Sequence, residues 1–162
     1  MLKVREISSE VLVADEPLVN LGPDDIEFLK SRVDRTSRRR IRICAHRDIG
    51  DKLHEMFIVM AGDTYIRPHK HLDRVESMHL LEGSADAVFF DEAGNVSRVV
   101  RLGDYSSDCQ FFYRISEPVY HCLLVRSQHL VVHETTEGPW NESGTVFADW
   151  APPEDDLEAA GK

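Results

Sequence analysis

The chain has 162 residues, 42% hydrophobic and 30% charged, with a formal net charge of -10. That length suits one domain of ordinary size, and the negative charge disfavours non-specific binding to nucleic acid or to an anionic membrane. No apolar run approaches the roughly 18 residues that a spanning helix needs, and the stretch MLKVREISSEVLVADEP lacks the apolar centre of a secretory signal. The three cysteines form no CxxC pair, which argues against a structural zinc knuckle. We therefore expect a cytoplasmic protein.

The N-terminal part of the sequence predicts a short strand, a helix and a second strand. The stretch SSEVLVADE has the composition of a strand. In GPDDIEFLKSRVDR, Pro23 suits a first helical position and two aspartates follow it in the positively polarised first turn. SRRRIRICAH then alternates apolar and polar residues, which is strand periodicity and places Arg42 and His46 on one face.

From Glu55 onward the sequence is almost entirely strand and turn. Gly, Asp, Asn and Ser separate the stretches EMFIVMAG, TYIRPHKH, ESMHLLEG, SADAVFF, VSRVVRLGD, QFFYRISEP, VYHCLLVRS and HLVVHETT, and DEAGN predicts a hairpin loop. Many short strands at this spacing favour a sandwich or barrel. We predict an N-terminal extension with one helix over residues 1–39, an all-β barrel over 40–152 and a disordered acidic tail over 153–162.

The stretch RPHKHLDRVE contains two histidines and a carboxylate at a spacing that suits a metal site. Because residues i and i+2 of a strand point to the same face, His69 and His71 project together while Lys70 points away. After the turn LDR, Glu76 begins the next strand and can reach an ion that the two imidazoles hold. Imidazole and carboxylate together suit divalent Fe, Mn, Ni, Co or Zn.

A fourth candidate ligand is His121, in the apolar stretch EPVYHCLLV. A histidine on the face of a buried strand needs a polar partner, and a metal ion would provide one. His79 has the wrong parity, since it points away from the face that carries Glu76. Parity alone does not decide whether three other histidines line the pocket: His46, His129 and His133.

The pattern resembles the first motif of the cupin superfamily, which is Gly, HxH, Glu and Gly. Here those positions are Gly62, His69, His71, Glu76 and Gly83, with a first spacer one residue longer than usual.

The second cupin motif is only partly present. Its histidine is His121, but Pro118 stands where a glycine is expected and Val125 stands where an asparagine is expected.

A closer resemblance is to the WbuC-type cupin metalloproteins of surface-polysaccharide (O-antigen) gene clusters. It rests on AHRDIGDKLHEMFIVMAGDTYIRPHKH, FDEAGN and VVHETTEGPW…FADWAP, and covers about residues 40–152. The resemblance implies a cupin-type double-stranded β-helix, or jelly-roll barrel. It also implies one divalent transition metal held by His69, His71, Glu76 and His121, and a small-molecule ligand that is a sugar or derives from one.

Two further residues are candidate catalytic groups because strand parity continues backwards from His69. Tyr65 and Arg67 would then share the face of the metal ligands, where they could bind substrate or transfer a proton. An arginine inside a barrel is costly unless it is paired. The alternative for Arg67 is therefore a structural salt bridge, with Glu55, Glu82 or Glu134 as partner.

Other residues could shape the mouth of the barrel. Arg42 and His46 would add an anion-binding edge if their strand lines the mouth, and otherwise they form an exposed basic face. Trp140 and Trp150 lie in EGPWNESGTVFADWAP, which we interpret as a loop that covers one end of the barrel or a dimer surface.

Three functions remain open at this point. The protein could be an enzyme that uses its metal to isomerise or epimerise a sugar or a small hydroxy-carbonyl compound, or an Fe(II)-dependent dioxygenase with the same ligands. It could also be a non-enzymatic cupin that binds or senses a small molecule. We expect a homodimer, with SSEVLVADE as a candidate pairing strand, and no nucleic-acid or membrane partner.

Overall fold

In the computed structural model, the described residues, 1–156 and 158–160, contain twelve strands, one α-helix and a short 3-10 helix. The N-terminal elements are β1 (Val4–Ser8), β2 (Val11–Ala14), α1 (Pro23–Val33) and β3 (Arg40–Cys44). The strands that follow are β4 (Leu53–Ala61), β5 (His69–His71), β6 (Glu76–Glu82), β7 (Ser84–Phe90), β8 (Val96–Gly103), β9 (Phe112–Ile115), β10 (Tyr120–Val125), β11 (His129–Glu137) and β12 (Thr145–Phe147). The 3-10 helix spans Glu142–Gly144.

The strands form two sheets that face each other. One sheet has seven strands in the order β1-β2-β3-β4-β11-β6-β9, and the other has five in the order β12-β5-β10-β7-β8. All neighbouring pairs are antiparallel except β2 and β3. The all-β prediction is confirmed, and two facing sheets of this kind are those of a jelly roll.

Apolar layers cover both faces of the seven-stranded sheet. Between the sheets, Ile58 and Val132 pack with residues of the five-stranded sheet. On the outer face, Val59 and Val131 pack in a second cluster that includes Leu29 of α1. This explains why EMFIVMAG is continuously apolar rather than alternating, since the helix covers the face that would otherwise contact water.

The helix and most strands lie where the sequence predicts them, but three stretches differ. One is EGPWNESGTVFADWAP, interpreted as a loop, which contains the short strand β12. SSEVLVADE forms only β2, which pairs with the preceding β1 in a hairpin that the sequence did not indicate. TYIRPHKH forms a strand only over β5, because the chain is irregular up to Pro68. A proline has no N–H to give to a strand ladder.

The predicted hairpin loop DEAGN is confirmed between β7 and β8. The Asp91 side chain accepts hydrogen bonds from the backbone N–H groups of Ala93 and Asn95. Gly94 has a φ of 85°, a conformation that glycine adopts without steric cost.

The C-terminal segment contacts the barrel within the described residues. Glu154 accepts hydrogen bonds from the Arg40 guanidinium and, at 3.4 Å, from the backbone N–H of Arg67. The predicted domain boundaries and the predicted disorder of 153–162 stay predictions, and part of that tail lies outside the described residues. No helix in the described part of the chain is long and apolar enough to cross a membrane.

Candidate metal centre

Three imidazoles from the five-stranded sheet meet between the two sheets. His69 and His71 lie on β5, and His121 lies on β10 directly opposite His69 in the ladder. One ring nitrogen of each lies within 4.8 Å of the others. The parity argument is confirmed for β5, since Lys70 points away and binds Glu92 on the surface.

The other ring nitrogen of each histidine already has a partner. Nδ1 of His69 lies 2.9 Å from the carbonyl oxygen two residues upstream, and Nδ1 of His121 makes the same contact at 3.0 Å. Nδ1 of His71 lies 3.1 Å from the Thr145 hydroxyl on β12. Because a carbonyl oxygen only accepts, Nδ1 of His69 and of His121 carries a proton, which leaves Nε2 of each ring as the nitrogen that could bind an ion. Partners of this kind fix the orientation of metal-binding histidines.

Glu76 reaches the same point from the seven-stranded sheet. Its Oε2 lies 3.1 Å from Nε2 of His71 and its Oε1 lies 3.6 Å from Nε2 of His121. Only 4% of Glu76 is exposed. Burial acts to raise the pKa of this carboxyl group, but hydrogen bonds from His121 and His71 outweigh burial and hold the pKa below its usual range. Glu76 is therefore an anion in a buried site.

The protonation states around Glu76 suit metal ligation. Burial, and then the neighbouring His121, lower the pKa of His69 to about 4, so this imidazole is neutral at pH 7. Burial also acts to lower the pKa of His121, but the hydrogen bond and charge of Glu76 raise it above its ordinary value. A divalent ion would replace the proton that His121 and Glu76 otherwise share. Neutral imidazoles and one carboxylate form a donor set for a divalent transition metal, and these residues could hold one such ion.

The four groups border a cavity of about 650 Å³ between the sheets. Its wall on the seven-stranded sheet is largely apolar and includes Met56, Met60 and Met78, while Arg42 and Glu134 also line it. Cavities of this size and composition bind small molecules. Arg42 and His46, whose placement the sequence left open between the mouth of the barrel and an exposed face, both line the cavity.

The ladder of the seven-stranded sheet explains how acid and phenol groups reach this cavity. Cys44, Met56, Glu134, Met78 and Tyr113 pair in succession across β3, β4, β11, β6 and β9. All five therefore project from one row of the sheet, and all five line the cavity.

Sequence reasoning did not assign Glu134 and Tyr113 to the site. Burial raises the pKa of Glu134 to about 8, and the charge of Glu76 adds to that rise. Burial also raises the pKa of Tyr113, whose hydroxyl has no hydrogen-bond partner in the described residues. The alternation in HLVVHETT, where Glu134 shares parity with Leu130 and Val132, was the signal that could have found the acid.

The histidines that parity left open fall on different sides of the sheet. His46 lines the cavity and stacks on His54, with ring centroids 4.0 Å apart. His133 stacks on Phe57 at 4.6 Å and lies 3.7 Å from a Glu55 oxygen, away from the cavity. The cavity lining includes neither His133 nor His129.

The two candidate catalytic residues upstream of His69 lie outside the cavity lining. The Arg67 guanidinium donates to the Ala148 carbonyl oxygen at 2.7 Å, and the Tyr65 hydroxyl donates to the Pro152 carbonyl oxygen at 3.0 Å. Both side chains thus fasten the C-terminal segment to the barrel. The strand parity used to place them does not apply, because β5 begins only at His69. Their catalytic role stays a prediction.

The two tryptophans of the C-terminal loop have different surroundings. Trp150 packs on Phe90 and Tyr120 and covers Gly94 of the β7–β8 hairpin. Trp140 lines the cavity. The loop therefore folds back onto the barrel as expected.

Comparison with protein-family models matches residues 22–102 to the family described as Domain of unknown function (DUF6016). The chain belongs to this family. No curated protein matches it.

Among solved structures, the chain is similar to protein SO0799 from Shewanella oneidensis, with 10% identity over 80% of this chain and 85% of that one and a TM-score of 0.58. It is also similar to a mutant of oxalate decarboxylase OxdC from Bacillus subtilis, with 17% identity over 69% of this chain, 29% of that one and a TM-score of 0.50. A third structure is CapF with the inhibitor 3-isopropenyl-tropolone, with 10% identity over 67% of this chain, 30% of that one and a TM-score of 0.50.

These likenesses show the fold alone, since all the identities are low. Oxalate decarboxylase and CapF are cupin-fold proteins, and the chain described here has the same fold. The chain spans less than a third of the length of either.

Proposed function

We propose that this chain is a metal-dependent cupin that holds one divalent transition metal through His69, His71, Glu76 and His121 and acts on a small molecule in the adjoining cavity. One observation supports this above all. Three imidazoles converge within 4.8 Å while the opposite nitrogen of each is already engaged. Packing of a core does not require three histidines to point their Nε2 atoms at one position, whereas binding of a metal ion does.

The surroundings support a centre with a function beyond stability. Structural metal sites are closed by protein ligands, whereas catalytic sites keep positions open to water or substrate. Here the four groups border a cavity of about 650 Å³ rather than packed core. A small molecule could therefore reach an ion held by these residues.

Metal content tests the proposal directly. Protein stripped with EDTA is titrated with Mn(II), Fe(II), Co(II), Ni(II) and Zn(II), and bound metal is measured by calorimetry and by mass spectrometry after dialysis. His71→Ala and His121→Ala should each lower the affinity at least about a hundredfold, because each removes one ligand. His79→Ala and His133→Ala are matched controls, since both rings lie on the other face of the sheet. Equal affinity in all four variants would refute the metal centre.

The chemistry that the site favours is redox-neutral proton transfer, as in an isomerase or epimerase. A bound divalent ion supplies a Lewis acid that polarises a ligand oxygen. Glu134 is the cavity carboxyl group placed to hold or move a proton, because no hydrogen bond or ion pair engages its side chain in the described residues. The arginines at the cavity would bind an anionic part of the substrate.

The resemblance to the WbuC-type proteins supports a sugar or sugar-derived substrate in surface-polysaccharide biosynthesis. Trp140 at the cavity supports the same idea, because flat aromatic rings stack on the apolar faces of sugars. Incubating the metal-loaded protein with sugars and uronic acids and following their spectra by NMR tests it. New signals in the absence of oxygen would identify an isomerase or epimerase.

The same ligand set also suits an Fe(II)-dependent dioxygenase, and a small-molecule sensor without turnover is the third candidate. Turnover that needs oxygen would support the dioxygenase. Saturable binding with no turnover under either condition would support the sensor.

A homodimer stays a prediction, and the exposed edge of the seven-stranded sheet supports it. That edge is β1, which pairs on one side with β2. The stretch SSEVLVADE, which we expected to pair between protomers, is not at the edge, because it forms β2 between β1 and β3. Unpaired strand edges are common sites of association. Light scattering on a variant that lacks the first twenty residues tests this, and an unchanged dimer mass would remove the edge from the interface.

A further inference from the structure

Arg42 differs from the other arginines of the cavity because it is partly buried and has no carboxylate partner within the described residues, whereas Arg5 and Arg47 are exposed to solvent. Arg42 projects from β3 into the cavity and is partly buried. Its Nε–H group is buried and has no hydrogen-bond acceptor, and its guanidinium makes no ion pair in the described residues. A cation in such surroundings is costly unless a counter-charge is present.

The two arginines that precede Arg42 along this edge of the cavity, Arg38 and Arg40, are already paired. Arg40, two residues before Arg42 on the same strand, forms an ion pair with Glu154. Arg38 forms ion pairs with Glu10 and with Glu154. The chain therefore provides carboxylates for its neighbours but leaves Arg42 without one.

The groups closest to Arg42 do not replace a counter-ion. The guanidinium lies near the Cys44 thiol, and burial raises the pKa of that thiol, so it stays neutral. Glu134 lies on β11, with β4 between it and β3, so about 10 Å separate the two backbones. Burial and then the charge of Glu76 raise the pKa of Glu134 to about 8, although the charge of Arg42 acts to lower it, and the two side chains form no ion pair with each other.

We propose that the cavity binds a small carboxylate and that Arg42 is the residue that binds its carboxylate group. A guanidinium matches a carboxylate with two parallel hydrogen bonds, which gives a planar anion an advantage over a spherical one. The methionines beside Arg42 would contact the remainder of the molecule. This inference deepens the proposed function, on which it rests for the use of the same cavity.

The sheet order places Arg42 across the cavity from the metal-binding residues. β3 and β6, which carry Arg42 and Glu76, lie three positions apart in the order β3-β4-β11-β6. The two strands are therefore about 15 Å apart. Arg42 is also displaced along them, because its ladder partner on β6 is Leu80 rather than Glu76. A small acid held at Arg42 would lie in the same cavity as the imidazoles.

Binding of matched probes tests the inference. The acids are hexanoate, with an apolar body, and glucuronate, with a sugar body; hexanamide and glucose are their uncharged counterparts, and inorganic phosphate is the tetrahedral anion. Each is titrated by calorimetry into EDTA-treated and zinc-loaded protein. At least one acid should bind, and its uncharged counterpart should bind at least about tenfold more weakly, the effect of losing a charge-assisted hydrogen bond.

Variants assign the effect to Arg42. Arg42→Gln should weaken binding of the acid at least about tenfold, and Arg42→Lys should restore part of it through its charge. Arg98→Gln, an exposed arginine on β8, should bind as the unaltered protein does. Without ligand, Arg42→Gln should melt at the same or a higher temperature, because it removes an unbalanced cation.

Three results would overturn the inference. They are equal binding of the acid by Arg42→Gln, phosphate binding as tight as that of both acids, or a lower melting temperature of ligand-free Arg42→Gln, which would make Arg42 a structural residue. The EDTA-treated protein separates this test from that of the metal. Binding of an acid through Arg42 in a protein that takes up no metal would refute the proposed metal centre alone.

Discussion

The two sheets present very different polar groups to the space between them. On the five-stranded sheet, each of the three imidazoles has a partner for its outer nitrogen, so the rings are held in one orientation. On the seven-stranded sheet, the Tyr113 hydroxyl and the Arg42 Nε–H group are buried and have no hydrogen-bond partner among the residues that the structure describes.

This difference in hydrogen bonding suggests two roles within the cavity, one in metal binding and one in ligand binding. Polar groups with fixed partners are preorganised, which suits the narrow geometry that a metal ion demands. Polar groups without partners lower stability in the empty protein, so they indicate that a ligand completes their hydrogen bonds. The three imidazoles of the five-stranded sheet are thus already oriented to bind an ion together with Glu76. Arg42 and Tyr113 of the seven-stranded sheet could instead gain their missing hydrogen bonds from a ligand.

The apolar layer that both sheets share should show the largest effect. Leu80 lies on the inner face of β6 and is 1% exposed, so Leu80→Ala should lower the free energy of unfolding by about 2–5 kcal/mol. Leu124→Ala, at a side chain that is 41% exposed on β10, should lower it by less than about 1 kcal/mol. Urea denaturation measures both. Equal losses would mean that the space between the sheets is not the main core.

The next largest effect should come from removing a hydrogen-bond partner of one imidazole, which should lower the affinity for metal. Thr145→Val keeps the shape of the side chain but removes the hydroxyl that contacts His71 Nδ1. Metal affinity should fall about 10–100-fold, because the ring loses its orientation. Thr145→Ser keeps the hydroxyl and should bind nearly as tightly. Calorimetric titration with zinc measures this, and unchanged affinity in Thr145→Val would show that the partner is not needed.

The smallest expected effect concerns the buried Tyr113 hydroxyl. The sign of the change in the free energy of unfolding would show whether this hydroxyl has a hydrogen-bond partner. Tyr113→Phe removes a buried hydroxyl that makes no hydrogen bond within the described part of the chain, so the free energy of unfolding should stay level or rise by up to about 1 kcal/mol. Tyr65→Phe removes a hydroxyl that donates to Pro152, so the same chemical change should cost about 0.5–1.5 kcal/mol. A loss of stability in Tyr113→Phe equal to that in Tyr65→Phe would mean that the Tyr113 hydroxyl is satisfied in solution.

The local sequence pattern was enough to predict that His69, His71 and Glu76 lie together. Two histidines on one short strand lie on the same face whatever the rest of the chain does, and a turn of a few residues brings Glu76 back beside them. The same rule placed Tyr65 and Arg67 wrongly relative to the cavity, because it was extended past Pro68, where the chain is no longer a strand.

The other half of the cavity depends on pairings between distant strands. Arg42, Glu134 and Tyr113 come together because β4 pairs with both β3 and β11, and β6 pairs with both β11 and β9. Strand parity limits each of these side chains to one of two faces. It does not say which strands are neighbours, so the row that joins them could not be derived from the sequence.

The ion pair between Arg40 and Glu154 joins residues 114 positions apart in the chain. During synthesis β3 leaves the ribosome long before Glu154 does, and its arginine remains without this partner until nearly the whole barrel has been made. Contacts between such distant residues close the longest loops and form late in folding. We therefore expect Arg40 to gain its counter-charge late in folding, after most of the barrel has formed.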